Sequence, residues 1–175
     1  MTAAAIDLLR PEWPAPAGIG ALCSLRGGGV SGGAWASLNL GDAVGDAPAA
    51  VAENRRRLQA ATAQDDVDQP PAQPVYLRQV HGARVVRIGK ADLQRQSADE
   101  PPHEADAALT TEAGIACCVQ VADCLPVLFC SADGRAVAAA HAGWRGLAAG
   151  GLEHTMAAFH AAIGARPDAP HAWLR

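Results

Sequence analysis

The sequence is poor in aromatic residues, has no excess of basic charge and contains no long apolar run. Aromatic side chains make up 4% of the 175 residues, and the formal net charge is −4. The chain therefore lacks the basic surface and the stacking aromatic residues on which nucleic-acid-binding proteins depend. No stretch approaches the roughly 18–20 consecutive apolar residues of a membrane span. We expect neither a nucleic-acid partner nor a membrane partner.

The cysteines lack the pattern of a disulfide framework. There are five of them, an odd number, and no two form a CxxC pair: Cys23, Cys117, Cys118, Cys124 and Cys130. The N-terminus has no basic leader, and Asp7 interrupts its apolar run. An odd cysteine count without a signal peptide is typical of a reducing compartment, so the sequence predicts a cytoplasmic protein.

The chain has 175 residues, of which 50% are hydrophobic. This length and composition suit a single domain that buries its own core. Hydrophobic patterning predicts a strand over residues 19–26 and two helices, over residues 46–61 and 147–163. Val51, Asn54 and Leu58 mark one face of the first helix. Apolar residues recur at helical spacing along the second: Leu152, Met156, Phe159 and Ile163. Residues 62–74 and 94–104 have the composition of surface loops, and residues 172–174 that of a final strand.

The glycine-rich segment 27–33 contains the GxGxxG spacing of dinucleotide-binding loops. Such a loop opens a helix, whereas here the chain continues as Ala34-Trp35-Ala36-Ser37, which has the composition of a loop. A tight loop that lines a pocket is therefore the better interpretation.

Three residues of metal-binding type, His81, Cys124 and His141, each lie where an apolar, strand-like run meets small residues. The Asp-Gly dipeptide at 133–134 predicts that the last two runs are the arms of one hairpin. A turn centred there pairs residues whose numbers sum to about 267, so His141 lies opposite Pro126. Cys124 is then a diagonal neighbour of His141, roughly 7–8 Å away. A third strand would bring His81 to the same pocket.

Two imidazoles and one thiolate suit zinc, and three protein ligands leave the fourth position open, as in catalytic zinc sites. Asp123 or Asp106 can orient an imidazole or shuttle protons, and the residues alone do not choose between them. Without a metal, the same proximity makes Cys124 a nucleophile activated by His141 or His81. Taken singly, each of these residues is more often structural.

Arg145 lies between two glycines just ahead of the second helix. Free backbone N–H groups and the helix dipole favour an anion at such a place, so a phosphate beside the metal is one interpretation. The alternative is a simple tight turn with an exposed arginine.

Seven blocks of the sequence resemble a known family. They are RGGGVS (residues 26–31), SLNLG (37–41), NR (54–55), QVHG (79–82), ADA (105–107), ADCLPV (122–127) and HAGWRG (141–146). In this order they resemble the family first called laccase-domain or multicopper polyphenol oxidases. That family is now described as purine nucleoside phosphorylases and includes the bacterial peptidoglycan editing factor.

The resemblance implies an α+β fold of layered mixed sheets flanked by helices, with a zinc site made by His81, Cys124 and His141. It implies phosphorolysis of adenosine, inosine and methylthioadenosine, together with deamination of adenosine. Purine nucleosides and phosphate are then the small-molecule partners, Asn39 and Arg55 are further pocket residues, and a homodimer remains open. Copper suits the chain less well, because a multicopper site needs more imidazoles than six histidines supply.

Members of the family continue beyond this chain for roughly a quarter of their length, so residues 1–175 are expected to form one family domain without its C-terminal segment. Three functional hypotheses follow. The first is a zinc-dependent purine nucleoside phosphorylase and adenosine deaminase. The second is a Cys-His hydrolase or amidase that edits peptidoglycan precursors, and the third is a non-catalytic, purine-binding remnant.

Overall fold

The computed structural model describes residues 5–62, 71–164 and 170–174. The chain divides into two compact units by its internal contacts. The first unit comprises Met1–Pro11 and Ala21–Ala72, and the second comprises Glu12–Gly20 and Gln73–Arg175. Within the described residues, no helix is long and apolar enough to cross a membrane.

The first unit contains a short antiparallel pair, β1 (Leu8–Leu9) with β2 (Cys23–Ser24), and one long helix, α1 (Pro48–Thr62). The predicted helix over residues 46–61 is confirmed, and the face that it buries is the expected one: Val51, Asn54 and Leu58. The predicted strand over residues 19–26 is wrong in extent. Only two of its residues pair, because the carbonyl of Arg26 already accepts the N–H groups of Ser37 and Leu38 instead of extending a ladder.

The glycine-rich segment 27–33 of the first unit is a loop held by the buried side chain of Asn54. Its amide accepts the N–H of Val30 at 2.8 Å and donates to Oγ of Ser31 at 2.8 Å. Only a short 3-10 turn, Gly33–Trp35, follows the loop. The segment therefore lacks the helix of a dinucleotide-binding turn, in agreement with the sequence interpretation.

The second unit is built on a five-stranded mixed sheet of order β4-β5-β8-β7-β9. Its strands are β4 (Val85–Arg87), β5 (Ala107–Thr110), β7 (Leu125–Cys130), β8 (Val137–Ala142) and β9 (His171–Leu174). Only β4 and β5 run parallel; the other neighbours are antiparallel. A separate parallel pair joins β3 (Gln73–Val75) to β6 (Ile115–Cys117). The helices are α2 (Lys90–Ser97), α3 (Trp144–Ala148) and α4 (Gly151–Ile163).

Helix α4 packs on the sheet through the apolar stripe that its sequence predicts. Phe159 is fully buried in the core cluster, and Leu152, Met156 and Ile163 pack against the same cluster. The run of alanines along β8 leaves room for these larger side chains, because small residues on a sheet let a helix approach closely. The predicted α+β fold with mixed sheets and flanking helices is confirmed.

The β7–β8 hairpin has the predicted register. Pro126 pairs with His141, and Leu125 pairs with Ala142 at the open end. The connecting loop contains Gly134 with a φ of +71°, the left-handed conformation that the Asp-Gly dipeptide predicts. The hairpin therefore delivers His141 and the segment before Leu125 to the same end of the sheet.

Three other predicted boundaries are wrong. The helix predicted over residues 147–163 is two helices, α3 and α4, because Gly150 adopts a left-handed φ of +78° between them. The loop predicted over residues 94–104 overlaps α2, whose polar sequence shows little apolar periodicity. The loop predicted over residues 62–74 overlaps β3, because Gln73 and Pro74 pair with Ile115 and Ala116, and its residues 63–70 lie outside the described residues. Strand β9 agrees with the predicted final strand.

Candidate metal centre

Three side chains of the second unit converge at the open end of the β7–β8 hairpin. One potential ligand atom from each of His81, Cys124 and His141 lies within 4.8 Å of the other two. The imidazole rings of His81 and His141 meet edge to face, with centroids 4.7 Å apart. The structure thus brings together the three residues that the sequence singles out.

His141 is buried near the end of β8 and is oriented by a carboxylate. Its Nδ1 lies 2.9 Å from Oδ1 of Asp106, and both side chains are almost fully buried. With Nδ1–H donating to the carboxylate, Nε2 keeps its lone pair for a ligand. A carboxylate behind a histidine is the usual support of a metal-binding imidazole.

His81 lies in a turn rather than at the end of a strand, which corrects the sequence prediction. Strand β3 already ends at Val75, and His81 adopts a left-handed φ of 61°. The cause is Asp106, whose carboxylate accepts the N–H groups of Val80, His81 and Gly82 at 3.2, 2.8 and 2.7 Å. The bound carboxylate therefore stabilises a backbone conformation that a residue other than glycine rarely adopts.

Asp106 consequently holds both histidines, one by its ring and the other by its backbone. Burial opposes ionisation of this carboxyl, but the hydrogen bonds from His141, Gly82, Val80 and His81 outweigh burial and lower its pKa. The group is therefore a buried carboxylate anion. Of the two aspartates that the sequence leaves open for orienting an imidazole, Asp106 makes this contact with His141.

Cys124 lies immediately before β7 and is partly exposed. Partial burial raises the pKa of its thiol, and the neighbouring carboxylate of Asp123 raises it further. A protonated thiol is a weak nucleophile, whereas a bound cation would stabilise the thiolate. These surroundings favour Cys124 as a metal ligand over Cys124 as an unassisted nucleophile.

The three donors fit zinc in kind and in spacing. Tetrahedral zinc with nitrogen and sulfur ligands separates neighbouring donor atoms by roughly 3.3–3.6 Å. The donor atoms of this cluster lie within 4.8 Å of one another. Shortening the donor-to-donor distances by about an ångström would bring all three atoms into bonding distance of one zinc ion. Three protein donors would leave one coordination position for a substrate atom.

Gly143 lies against all three candidate ligands. A Cβ atom placed on it would lie 3.1 Å from Sγ of Cys124, 3.1 Å from Cδ2 of His81 and 3.6 Å from Cε1 of His141. Contacts near 3.1 Å are tighter than ordinary van der Waals packing. The missing side chain therefore leaves the space in which the donors approach one another.

Arg145 lies in the first turn of α3, not ahead of a helix as its sequence context predicts. Its side chain is exposed, and its guanidinium carbon lies 4.4 Å from the centroid of the Trp144 ring. Among the described residues, none forms a hydrogen bond or ion pair with this guanidinium. Its donors are thus available to an anion.

Asn39 and Arg55, the other two pocket candidates, lie in the first unit. The amide of Asn39 donates to the carbonyl of Gly41 and to Asp46, both at 3.0 Å. Arg55 donates to the carbonyl of Leu40 at 2.9 Å and pairs with Asp42 at 3.2 Å. Both side chains therefore stabilise the loop at residues 39–46 in this structure.

Two residues escape residue-by-residue prediction from the sequence: Gly143, which lies against the ligands, and Gln79, whose side-chain amide bonds the backbone of Gln120 beside the centre. Glycine has no functional group, and a lone glutamine beside a strand is usually a surface residue. Their positions inside the blocks QVHG and HAGWRG are the one signal that marks them. The role of each depends on contacts between segments far apart in the chain.

Comparison with known proteins identifies the family. A family model described as multi-copper polyphenol oxidoreductase laccase matches residues 20–175. The chain belongs to this family.

Relatives of this laccase-domain family carry a different functional name. The purine nucleoside phosphorylase YfiH of Escherichia coli (strain K12) is 46% identical over 168 residues, which are 95% of this chain and 62% of that protein. The crystal structure of Neisseria meningitidis protein NMB0706 is similar with a TM-score of 0.79 at 42% identity, covering 95% of this chain and 61% of that one. The crystal structure of YlmD from Geobacillus stearothermophilus is similar with a TM-score of 0.83 at 32% identity, covering 100% of this chain and 63% of that one. The chain spans less than two thirds of these proteins.

All six histidines of this laccase-domain chain lie among the described residues, and they do not form a multicopper set there. Two of the six, His81 and His141, lie in the centre. His103 contacts Asp92 at 2.7 Å, and His154 and His160 are exposed on α4. The donors therefore form one mixed nitrogen and sulfur site and not the several imidazole-rich sites of a multicopper protein.

Proposed function

We propose that the protein is a zinc-dependent purine nucleoside phosphorylase. It acts on adenosine, inosine and methylthioadenosine with phosphate, and it also deaminates adenosine. The observation that carries this proposal is the cluster of His81, Cys124 and His141 around Gly143, supported from behind by Asp106. The names of the relatives supply the substrate class.

A zinc ion held by His81, Cys124 and His141 would supply Lewis-acid polarisation of a substrate atom. The carboxylate of Asp106 holds the Nδ1 proton of His141, so this imidazole serves as a ligand and not as a base. Asp123 is exposed next to Cys124, where its carboxylate can exchange a proton with substrate or solvent. We assign positioning to Asp106 and proton transfer to Asp123.

Arg145 binds the phosphate in this proposal. A guanidinium can bind two phosphate oxygens at once, and the ring of Trp144 restricts the orientation of Arg145. Asn39 and Arg55 are further candidates for contact with the nucleoside or phosphate.

Arg145→Ala should raise the KM for phosphate in phosphorolysis by roughly 10–100-fold, because charge-assisted hydrogen bonds contribute about 1.5–3 kcal/mol. Deamination of adenosine needs no phosphate and should be unchanged. Steady-state assays of both reactions on one preparation measure the difference. Arg145→Lys keeps the charge but not the paired hydrogen bonds, so its KM for phosphate should lie between those of wild type and Arg145→Ala. An equal loss of both reactions would contradict the phosphate role.

The proposed function is tested by metal analysis together with product chromatography from adenosine, with and without phosphate. We expect about one zinc per chain, adenine with phosphate present, and inosine without it. His81→Ala should lose zinc and both products, whereas His160→Ala, an exposed histidine on α4, should keep them. Full activity after zinc removal would refute the proposal. Rapid alkylation of Cys124 that zinc does not slow would favour the Cys-His hydrolase. Binding of purines without formation of any product would favour the non-catalytic alternative.

A further inference from the structure

The segments that carry His81 and Cys124 leave the β3–β6 ladder before they reach the metal centre. The last pair of this ladder is Val75 with Cys117. Beyond it, the side chain of Gln79 continues the connection. Its Nε2 donates to the carbonyl of Gln120 at 2.8 Å, and its Oε1 accepts the N–H of the same residue at 2.7 Å.

One glutamine side chain thus satisfies both backbone groups of one residue, as a neighbouring strand would. Gln79 precedes His81 by two residues, and Gln120 precedes Cys124 by four. The amide therefore joins the two segments close to both ligands. Both hydrogen bonds are partly buried, which makes them electrostatically stronger than hydrogen bonds in water.

The other supports of the centre act mainly on the histidines. Asp106 accepts hydrogen bonds from the ring of His141 and from the backbone of the His81 turn. Within the described residues, the hydrogen bonds of this carboxylate reach His141 and residues 80–82 but not Cys124, so Asp106 does not fix the position of the sulfur. The Gln79–Gln120 pair is a separate support that reaches the sulfur side of the centre.

We infer that Gln79 is a positioning residue that sets the separation between the Cys124 sulfur and the His81 imidazole. The inference rests on the proposed function only in requiring that the centre bind a metal. Gln79 touches neither metal nor substrate. Without its amide, the segment before Cys124 gains freedom that metal binding must then remove, and the sulfur is the donor affected first.

The test compares Gln79→Met with Gln96→Met in the full chain. Methionine keeps the length of glutamine and makes no amide hydrogen bond. Gln96 is a matched control, because its side chain also bonds two backbone groups, accepting the N–H of Tyr76 at 3.0 Å and donating to the carbonyl of Pro74 at 3.1 Å. Zinc affinity is measured by competition with a chromophoric chelator, and Co²⁺ is used as a spectroscopic probe.

Gln79→Met should weaken zinc binding about tenfold, the lower end for loss of a residue that supports metal ligands. The thiolate-to-cobalt charge-transfer band should lose intensity relative to the ligand-field bands. Gln96→Met should lower the melting temperature to a similar degree and leave both metal readouts unchanged. Gln79→Glu keeps the hydrogen-bond acceptor and loses the donor, so its zinc affinity should lie between those of wild type and Gln79→Met.

Wild-type zinc affinity and an unchanged cobalt spectrum in Gln79→Met would overturn the inference while leaving the proposed function intact. Equal losses of zinc affinity in Gln79→Met and Gln96→Met would also overturn the inference, because the loss would then follow from general destabilisation of the protein. A wild-type protein that binds neither zinc nor cobalt would contradict the proposed function itself, and the inference with it.

Discussion

Asp106→Asn is expected to weaken zinc binding by roughly 10–100-fold and to lower the free energy of unfolding by about 3 kcal/mol. Four N–H groups converge on this carboxylate, three from the backbone of residues 80–82 and one from the ring of His141. An amide of the same shape replaces one acceptor oxygen with an NH₂ group. At least one buried donor then faces another donor, and both histidines lose their common support.

Asp92→Asn is the matched control for Asp106→Asn. Asp92 also contacts a histidine, with 2.7 Å between Oδ1 and Nε2 of His103, and also accepts a backbone N–H, from Gly89. It should destabilise the protein without changing zinc affinity. Zinc affinity by chelator competition and unfolding by denaturant titration measure the two effects. Unaltered zinc binding by a folded Asp106→Asn protein would contradict the role assigned to this carboxylate.

Gly143→Ala should reduce zinc affinity by roughly 10–100-fold, the equivalent of about 1–3 kcal/mol of overpacking. The added methyl carbon would lie 3.1 Å from both Sγ of Cys124 and Cδ2 of His81, so the donors must move apart. The backbone itself accepts alanine, because Gly143 has an ordinary extended conformation with φ −73° and ψ 153°. Most of the effect should therefore fall on metal binding and little on the metal-free fold.

Gly20→Ala is the control for Gly143→Ala. Gly20 also belongs to the second unit, and nothing lies within 4 Å of a Cβ built on it. This variant should bind zinc like wild type. Chelator competition gives the affinities, and the melting temperature of the metal-free proteins checks the fold. If Gly143→Ala bound zinc as tightly as Gly20→Ala, the donors would not need the space that the glycine leaves.

The elements that the sequence predicts well are set by neighbouring residues. The hairpin register follows from one Asp-Gly dipeptide, which pairs Pro126 with His141 as expected. The buried faces of α1 and α4 follow from spacing alone, because a helix repeats every 3.6 residues. The convergence of Cys124 and His141 is therefore a local prediction carried by one turn.

The features that the sequence misses depend on distant contacts. The left-handed conformation of His81 is stabilised by a carboxylate 25 residues further along the chain, and no local pattern announces it. The pair of Gln79 with Gln120 spans 41 residues in the same way. Helix α2 escapes prediction for another reason: its sequence is polar and none of its residues is buried. Resemblance to the family marks His81 and Gln79 but does not reveal these contacts.

Arg145 shows the limit of reading function from sequence context. The flanking glycines suggest a turn ahead of a helix, but the structure includes Arg145 in the first turn of α3. Its value to the proposed reaction comes instead from an exposed guanidinium that lies over the ring of Trp144. A planar donor group that faces solvent can bind an anion without the help of a helix terminus.

Zinc-edge X-ray absorption of the purified protein tests the central claim most directly, because it identifies the atoms bound to the metal. The donors of His81, Cys124 and His141 predict two nitrogen neighbours at about 2.0–2.1 Å and one sulfur neighbour at about 2.3 Å, plus one exchangeable light atom. A coordination sphere of nitrogen and oxygen without sulfur would contradict the account.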